Sequence, residues 1–128
     1  MARWTIKNVK MAGVAAAVPK NVVKTTDFDF FTPEEAETFN NTVGIKARHL
    51  GPDTMCASDM CQAAAERLLA DLGWEKESID VLIFESVTGD FKTPPTSCIL
   101  QDRLGLSENC FCMDIPMGCC GCMYAITV

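Results

Sequence analysis

The chain has 128 residues, of which 48% are hydrophobic and 22% are charged, and its formal net charge is −6. This composition is that of a single soluble globular domain and excludes a disordered or low-complexity chain. The acidic balance argues against a nucleic-acid-binding surface, which needs clustered basic residues. No apolar run is long enough to cross a bilayer. Neither nucleic acid nor a membrane is therefore expected as a partner.

The chain has eight cysteines, and their spacing indicates whether the protein is expected in an oxidising or a reducing environment. Five of them fall between residues 110 and 122, where alternating and adjacent positions are badly placed to form disulfides with one another. The first 18 residues combine basic and apolar residues, but the apolar run is short and ends at Pro19, so we predict a strand and not an export signal. A cytoplasmic protein with reduced thiols is expected.

The first predicted strand is Val9–Val18, a run of small apolar residues. Such a run is typical of a strand that is buried on both faces. Gly13 lies inside it and indicates that another backbone passes close by.

A helix is predicted after Thr32, because Thr32 suits the N-cap, Pro33 the first helical position and Glu35 the third, which completes a capping box. This helix is expected to end at about Asn41. A turn and a short exposed strand are then predicted within Val43–His49.

The clearest helix is predicted over Thr54–Leu72, where apolar residues recur at helical spacing and Gly73 is placed to end it. The continuous apolar run Val81–Phe84 is typical of a central parallel strand. A short helix over Thr96–Leu104 follows, and Cys110–Ile115 is predicted to be the last strand.

The last strand leads into a tight turn flanked by glycines and then into an apolar helix. The alternation of strands and helices predicts an α/β fold with a largely parallel sheet. In such sheets the chemistry gathers at the carboxyl ends of the strands, where Cys119 falls. A sulfur at a helix N-terminus is favoured as an anion, so Cys119 is a candidate nucleophile.

Two other interpretations of the cysteines follow from the residues alone. Small buried cysteines also serve as core filler, and we predict this packing role for Cys110, Cys112, Cys120 and Cys122. Alternatively, the cysteines of this stretch are numerous enough for a tetrahedral zinc site. Alternate strand positions, however, are poorly placed for such a site, so no metal ligand is assigned.

Four motifs succeed one another along the chain: Gly13 to Pro19, Val43–His49, Pro94 with Cys98, and the spacing Asp114-x4-Cys119-x-Gly121-x2-Tyr124-Ala125. In this order they resemble the N-terminal part of β-ketoacyl-(acyl-carrier-protein) synthase III, a thiolase-fold condensing enzyme. The resemblance implies an α/β fold of the thiolase-like layered αβαβα type, of which this chain supplies the first part of the N-terminal half.

Residues 1–128 would then be the N-terminal segment of a thiolase-like condensing-enzyme domain. The closing residues, 123–128, carry no helix stop signal. The chain is accordingly expected to be truncated within an element. The resemblance also implies a homodimer for the longer protein.

The activity that the resemblance implies is acyl transfer with a decarboxylative Claisen condensation, in fatty acid or related lipid or polyketide biosynthesis. Cys119, which matches the family's nucleophile, would accept the acyl group from a thioester. The carbanion from malonyl-acyl carrier protein would then attack it. The family's catalytic His and Asn come from its second half. The single histidine here, His49, matches a structural segment, so the 128 residues alone are expected to be inactive.

Departures from the family's pattern concern the substrates. Thr38 and Thr42 stand where enzymes that use coenzyme A carry a Trp and an Arg beside the nucleotide. Acyl carrier protein and acyl thioesters are therefore the expected partners, with coenzyme A not favoured as donor. Thr93 stands where a Phe from the partner subunit usually closes the acyl pocket, which predicts a roomier pocket. These three threonines are the candidate substrate-binding residues.

No cofactor is expected. Beside the enzyme, the sequence leaves open a non-catalytic scaffold or binding domain, because the family's His and Asn are absent. A zinc protein with cysteine ligands is the other alternative.

Overall fold

A computed structural model describes residues 5–128. Residues 18–55 form one compact body, and residues 5–17 together with 56–128 form another. The strands are β1 (Val22–Lys24), β2 (Ala47–His49), β3 (Val81–Glu85) and β4 (Phe111–Ile115). The helices are α1 (Pro33–Val43), α2 (Ala57–Leu72), α3 (Thr96–Leu104) and α4 (Gly121–Thr127). No helix in the described part of the chain is long and apolar enough to span a membrane.

The body of residues 18–55 is built on an antiparallel pair, β1 with β2, and on α1. The predicted capping box is confirmed: Glu35 N–H donates to Thr32 Oγ1, and Thr32 N–H donates to the Glu35 carboxylate at 2.9 Å. The Thr32 N–H, followed by the Thr32 hydroxyl, lowers the pKa of the Glu35 carboxyl. The helix runs past the predicted Asn41 to Val43, where Gly44 ends it with φ at 80°.

Helix α2 begins at Ala57 and not at Thr54 as the sequence predicts. Its N-terminus is fixed by Asp59, whose carboxylate accepts the Cys56 N–H at 2.8 Å. This partner places the cap two residues later than Thr54. The predicted end is confirmed, since Gly73 has a φ of 63° and closes the helix.

The predicted strand–helix–strand unit is confirmed in the second body. Strand β3 pairs in parallel with β4, so that Phe84 lies opposite Asp114 and Glu85 opposite Ile115. The connecting helix α3 has the predicted bounds and ends at Gly105. Leu104, Leu106 and Cys110 are buried and form a core, packed against the half-buried Ala65, Ile79, Leu82 and Cys112.

The predicted strand over Val9–Val18 is wrong: no strand is assigned there, and β1 is the first strand of the described residues. Between residues 12 and 20 exposed and half-buried residues alternate, and Val14 is 78% exposed, so this segment is not buried on both faces. The close neighbour of Gly13 is also a side chain, because a Cβ there would lie 2.8 Å from Leu68 Cδ1. The predicted parallel sheet is found for β3 and β4, whereas β1 and β2 form a separate antiparallel pair.

Candidate active site

Cys119 lies in the turn between the carboxyl end of β4 and the start of α4, and it is exposed. The turn is closed by backbone hydrogen bonds: Met117 N–H donates to Ile115 O at 2.9 Å, and Gly121 N–H donates to Gly118 O at 2.8 Å. Cys120 is the N-cap of α4. The sulfur of Cys119 is thus carried by a short, hydrogen-bonded turn at the strand's carboxyl end, where the sequence places it.

Gly121, the first residue of α4, is buried against Glu85 at the end of β3. A Cβ on Gly121 would lie 2.5 Å from Glu85 Cδ and 2.7 Å from its Cγ, closer than side-chain atoms approach one another. A methyl group at residue 121 would therefore require the Glu85 side chain to move. This contact gives a steric reason for a glycine two residues after Cys119.

The start of α3 is capped from β4, an arrangement that the sequence analysis missed. The N-cap residue Pro95 makes no side-chain cap. Instead, Thr96 N–H donates to Asp114 Oδ2 at 2.7 Å, and Ser97 N–H donates to Asp114 Oδ1 at 2.8 Å. The sequence signals were a helix start with no local cap and an aspartate five residues before Cys119.

A second polar chain fixes the loop before α3. Ser58, which is fully buried, donates its hydroxyl hydrogen to the Asp90 carboxylate and accepts from Arg103 Nη1 at 3.0 Å. Arg103 Nη2 also lies 2.7 Å from Asp59 Oδ1. The Cys56 N–H and this guanidinium lower the pKa of Asp59. Because Ser58 is on α2 and Arg103 on α3, these hydrogen bonds connect both helices to the loop.

The other cysteines divide between the core and the surface. Cys110 is buried and Cys112 is half-buried, which confirms their predicted packing role. Burial, followed by the neighbouring Cys110 and Cys98 thiols, raises the pKa of Cys112 to about 11. Cys120 and Cys122 are exposed, so the prediction that they pack in the core is wrong, because the turn and the first residues of α4 present them to solvent.

The cysteines are all free thiols in the described residues. Within residues 5–128, no three His, Cys, Asp or Glu side chains are grouped so that they could hold a metal ion. The zinc alternative therefore has no ligand set among the residues that the structure describes.

Thr93 is exposed in the loop between β3 and α3. A cleft of about 510 Å³ opens beside this loop at the carboxyl ends of β3 and β4. Phe91 and Pro116 line it together with the carboxylates of Asp90 and Asp114. Neither Thr93 nor Cys119 is among the residues that form its wall.

Thr38 and Thr42 lie on one face of α1 in the other body. They line a cleft of about 570 Å³ with Phe31, Phe39, Glu34 and Glu35. None of the described residues that line this cleft is a Lys or an Arg. A basic side chain lies beside the cleft: the guanidinium carbon of Arg48 is 5.3 Å from the centre of the Phe39 ring, which lines the cleft, and 5.9 Å from that of Phe28.

His49 has a structural role, as predicted. Its Nδ1 donates a hydrogen bond of 2.7 Å to the carbonyl oxygen of Pro19.

The chain is similar to curated proteins named β-ketoacyl-(acyl-carrier-protein) synthase III. One from Clostridium perfringens is 36% identical over 121 residues, which are 94% of this chain and 37% of the relative. Another from Geobacillus kaustophilus is 35% identical over 114 residues, 89% of this chain and 36% of the relative. The chain thus spans little more than a third of the length of these relatives. No protein-family model matches it.

Solved structures give the same result. The 3-oxoacyl-(acyl-carrier protein) synthase from Burkholderia xenovorans superposes with a TM-score of 0.85 at 35% identity, over 90% of this chain and 33% of that one. Cerulenin-bound OleA from Xanthomonas campestris gives a TM-score of 0.83 at 26% identity, over 94% of this chain and 37% of that one. In sequence and in fold, the chain therefore resembles the N-terminal part of β-ketoacyl-(acyl-carrier-protein) synthase III, a thiolase-like condensing enzyme, and it supplies the first part of the N-terminal half of that layered α/β fold.

Proposed function

We propose that residues 1–128 are the N-terminal segment of a condensing-enzyme domain that transfers an acyl group to Cys119 and extends it with malonyl-acyl carrier protein. The observation that carries the proposal is the exposed sulfur of Cys119 on the turn after β4, in a chain similar to enzymes named for this synthesis. The cysteine is there accessible to a substrate thioester, whereas Cys110 is buried.

In the first step, the Cys119 thiolate attacks the thioester carbonyl of the donor, and the donor thiol leaves with a proton from solvent. The S-acyl bond to Cys119 replaces the thioester bond of the donor. In the second step, malonyl-acyl carrier protein loses carbon dioxide and the resulting carbanion attacks the acyl carbonyl. A carbon–carbon bond forms, and the Cys119 thiolate is released.

The second step needs donors that stabilise the developing enolate. The family resemblance assigns this task to a His and an Asn of the second half. The single histidine of the 128 residues is His49, which donates a hydrogen bond to the carbonyl oxygen of Pro19. We therefore propose that this segment contributes the nucleophile and that the isolated segment is inactive in condensation.

The cleft lined by Thr38 and Thr42 is relevant to which acyl donor the enzyme uses. It offers two aromatic rings and two carboxylates, and none of its described lining residues is basic. The Arg48 guanidinium beside this cleft is stacked on the Phe39 ring, and Glu34 and Glu35 would repel the phosphates of a coenzyme A nucleotide. An acyl group on acyl carrier protein is therefore the proposed donor, with Thr93 leaving room for longer or branched chains. A homodimer and a cytoplasmic location complete the proposal.

The experiment is mass spectrometry of the full-length protein after incubation with matched acyl-coenzyme A and acyl-acyl carrier protein donors. We expect an acyl adduct on Cys119, formed faster from the carrier protein, and no adduct in Cys119→Ser. An adduct on another cysteine, or none with any donor, would refute the assignment of Cys119.

The alternative is a non-catalytic scaffold or binding domain. It predicts that the full-length protein takes no acyl group, so the same measurement distinguishes it from the enzyme.

A further inference from the structure

The motif spacing contains an aspartate, Asp114, to which the acyl-transfer chemistry gives no role. Its carboxylate receives the first two N–H groups of α3, at 2.7 and 2.8 Å. Thr96 and Ser97, which carry these N–H groups, are fully buried. The two donors therefore depend on this carboxylate in place of water, because buried N–H groups without a partner are costly.

Asp114 is also part of the strand that leads to Cys119. It pairs with Phe84 of β3 one residue before the end of β4 and precedes Cys119 by five residues. The two hydrogen bonds to α3 thus fix the end of β4 from which the Cys119 turn departs. A shift of Asp114 would move the first residue of that turn.

The same helix start holds the Thr93 loop. Thr96 Oγ1 accepts the Asp90 N–H at 3.0 Å, and the Asp90 carboxylate accepts the hydroxyl hydrogen of the buried Ser58. Thr93 lies between Asp90 and Thr96 in the chain, so both ends of its loop are held at the start of α3.

We propose that Asp114 is a positioning residue for the Cys119 site: by capping α3 from β4, it fixes the Cys119 turn and the Thr93 loop to one helix end. This inference rests on the proposed acyl transfer. Its consequence is that Asp114 sets both the rate at which Cys119 takes an acyl group from a thioester and the preference between short and long acyl chains.

The test uses Asp114→Asn and Asp114→Ala in the full-length protein. The asparagine keeps one acceptor oxygen and the alanine keeps none. Since misplacement by about 1 Å costs roughly 100-fold in rate, we expect acylation of Cys119 to slow about tenfold in Asp114→Asn and about 100-fold in Asp114→Ala. Asp102→Asn is the matched control: it removes one charge from an exposed residue of α3, and it should acylate at the wild-type rate.

Two further readouts separate positioning from a general loss of structure. Iodoacetamide needs only an accessible sulfur, so its reaction with Cys119 should change less than twofold in Asp114→Asn. The ratio of acylation rates for long and short thioesters should change in both Asp114 variants. Leu104→Ala, which removes a core side chain that is 2% exposed, should lower the melting temperature and leave that ratio unchanged.

The inference is overturned if Asp114→Asn acylates at the wild-type rate with the wild-type chain preference. It is also overturned if alkylation and acylation fall by the same factor, because Asp114 is then only structural. If wild-type Cys119 takes no acyl group, the proposed function itself fails, and this inference fails with it.

Discussion

The side chain of Glu85 occupies the space beside the Cα of Gly121, so that the end of β3 and the start of α4 touch where a Cβ would crowd the Glu85 side chain. Gly121 follows Cys119 by two residues. The position of the candidate nucleophile is therefore linked to a residue that lies 34 positions earlier in the chain.

Gly121→Ala is expected to destabilise the protein by about 1–3 kcal/mol, the usual cost of overpacking. It should also slow acylation of Cys119 by an acyl thioester in the full-length protein, because the turn must shift away from Glu85. Gly118→Ala is the matched control, since a Cβ there meets no atom within 4 Å. Urea unfolding and acylation kinetics measure both effects.

The double variant Glu85→Ala/Gly121→Ala should recover most of the lost stability, because it removes the Cγ and Cδ that the new methyl group meets. If Gly121→Ala alone equals Gly118→Ala in both measurements, the contact does not constrain the turn.

The raised pKa of Cys112, about 11, predicts how its labelling depends on pH. The thiolate is the reactive form, so Cys112 should label slowly at pH 8 and progressively faster as the pH approaches 11. Peptide mapping after brief alkylation measures this. Rapid labelling of Cys112 in the folded protein at pH 8 would contradict the prediction.

The same shift has a consequence for stability. The folded state keeps the Cys112 proton up to a higher pH than the unfolded chain, whose thiol ionises near the ordinary value of 9.0. Between about pH 9 and 11 the folded state binds more protons, so the free energy of unfolding falls as the pH rises through this window. Cys112→Ala should show a smaller fall in urea unfolding experiments. An equal fall in both proteins would show that Cys112 is not its source.

The capping box of α1 predicts a cost of about 1 kcal/mol for Thr32→Ala, which loses the acceptor for the Glu35 N–H. Thr42→Ala, near the other end of the helix, should cost less. The lowered pKa of Glu35 gives the pH dependence of the other half of the box: the stabilisation from its carboxylate, which accepts the Thr32 N–H, is present above the ordinary value of 4.5 and is lost as the pH falls through the lowered pKa. Helicity followed by circular dichroism during unfolding at pH 7 and pH 3 is the measurement. Equal effects of the two variants at pH 7 would contradict a cap at Thr32.

The isolated 128 residues are expected to associate or to be marginally stable. Val9, Met11 and Val14 are 69%, 74% and 78% exposed, and Met123 on α4 is 64% exposed. Large apolar side chains that are exposed to water at several places on one chain favour association. Analytical ultracentrifugation at micromolar concentration measures it. A monomer with one cooperative thermal transition would contradict the expectation, and turnover of malonyl-acyl carrier protein by these residues would contradict their proposed inactivity.

The sequence by itself determined most of the local structure. Gly73 and Gly105 end their helices as predicted, because the left-handed backbone conformation that ends a helix is adopted mainly by glycine. The apolar run before Glu85 forms its strand, and the spacing around Cys119 placed it on a turn between strand and helix. These signals depend on near neighbours in the chain, which a sequence displays directly.

Only the tertiary structure decided what those elements contact. The Val9–Val18 segment has a strand's composition but pairs with no strand in the described residues, because strand formation requires a partner and not only a propensity. The cap of α3 comes from Asp114, 18 residues beyond Thr96. Gly121 packs closely against the Glu85 side chain. Such contacts join residues that are distant in the chain, so their geometry exists only once the backbone has folded.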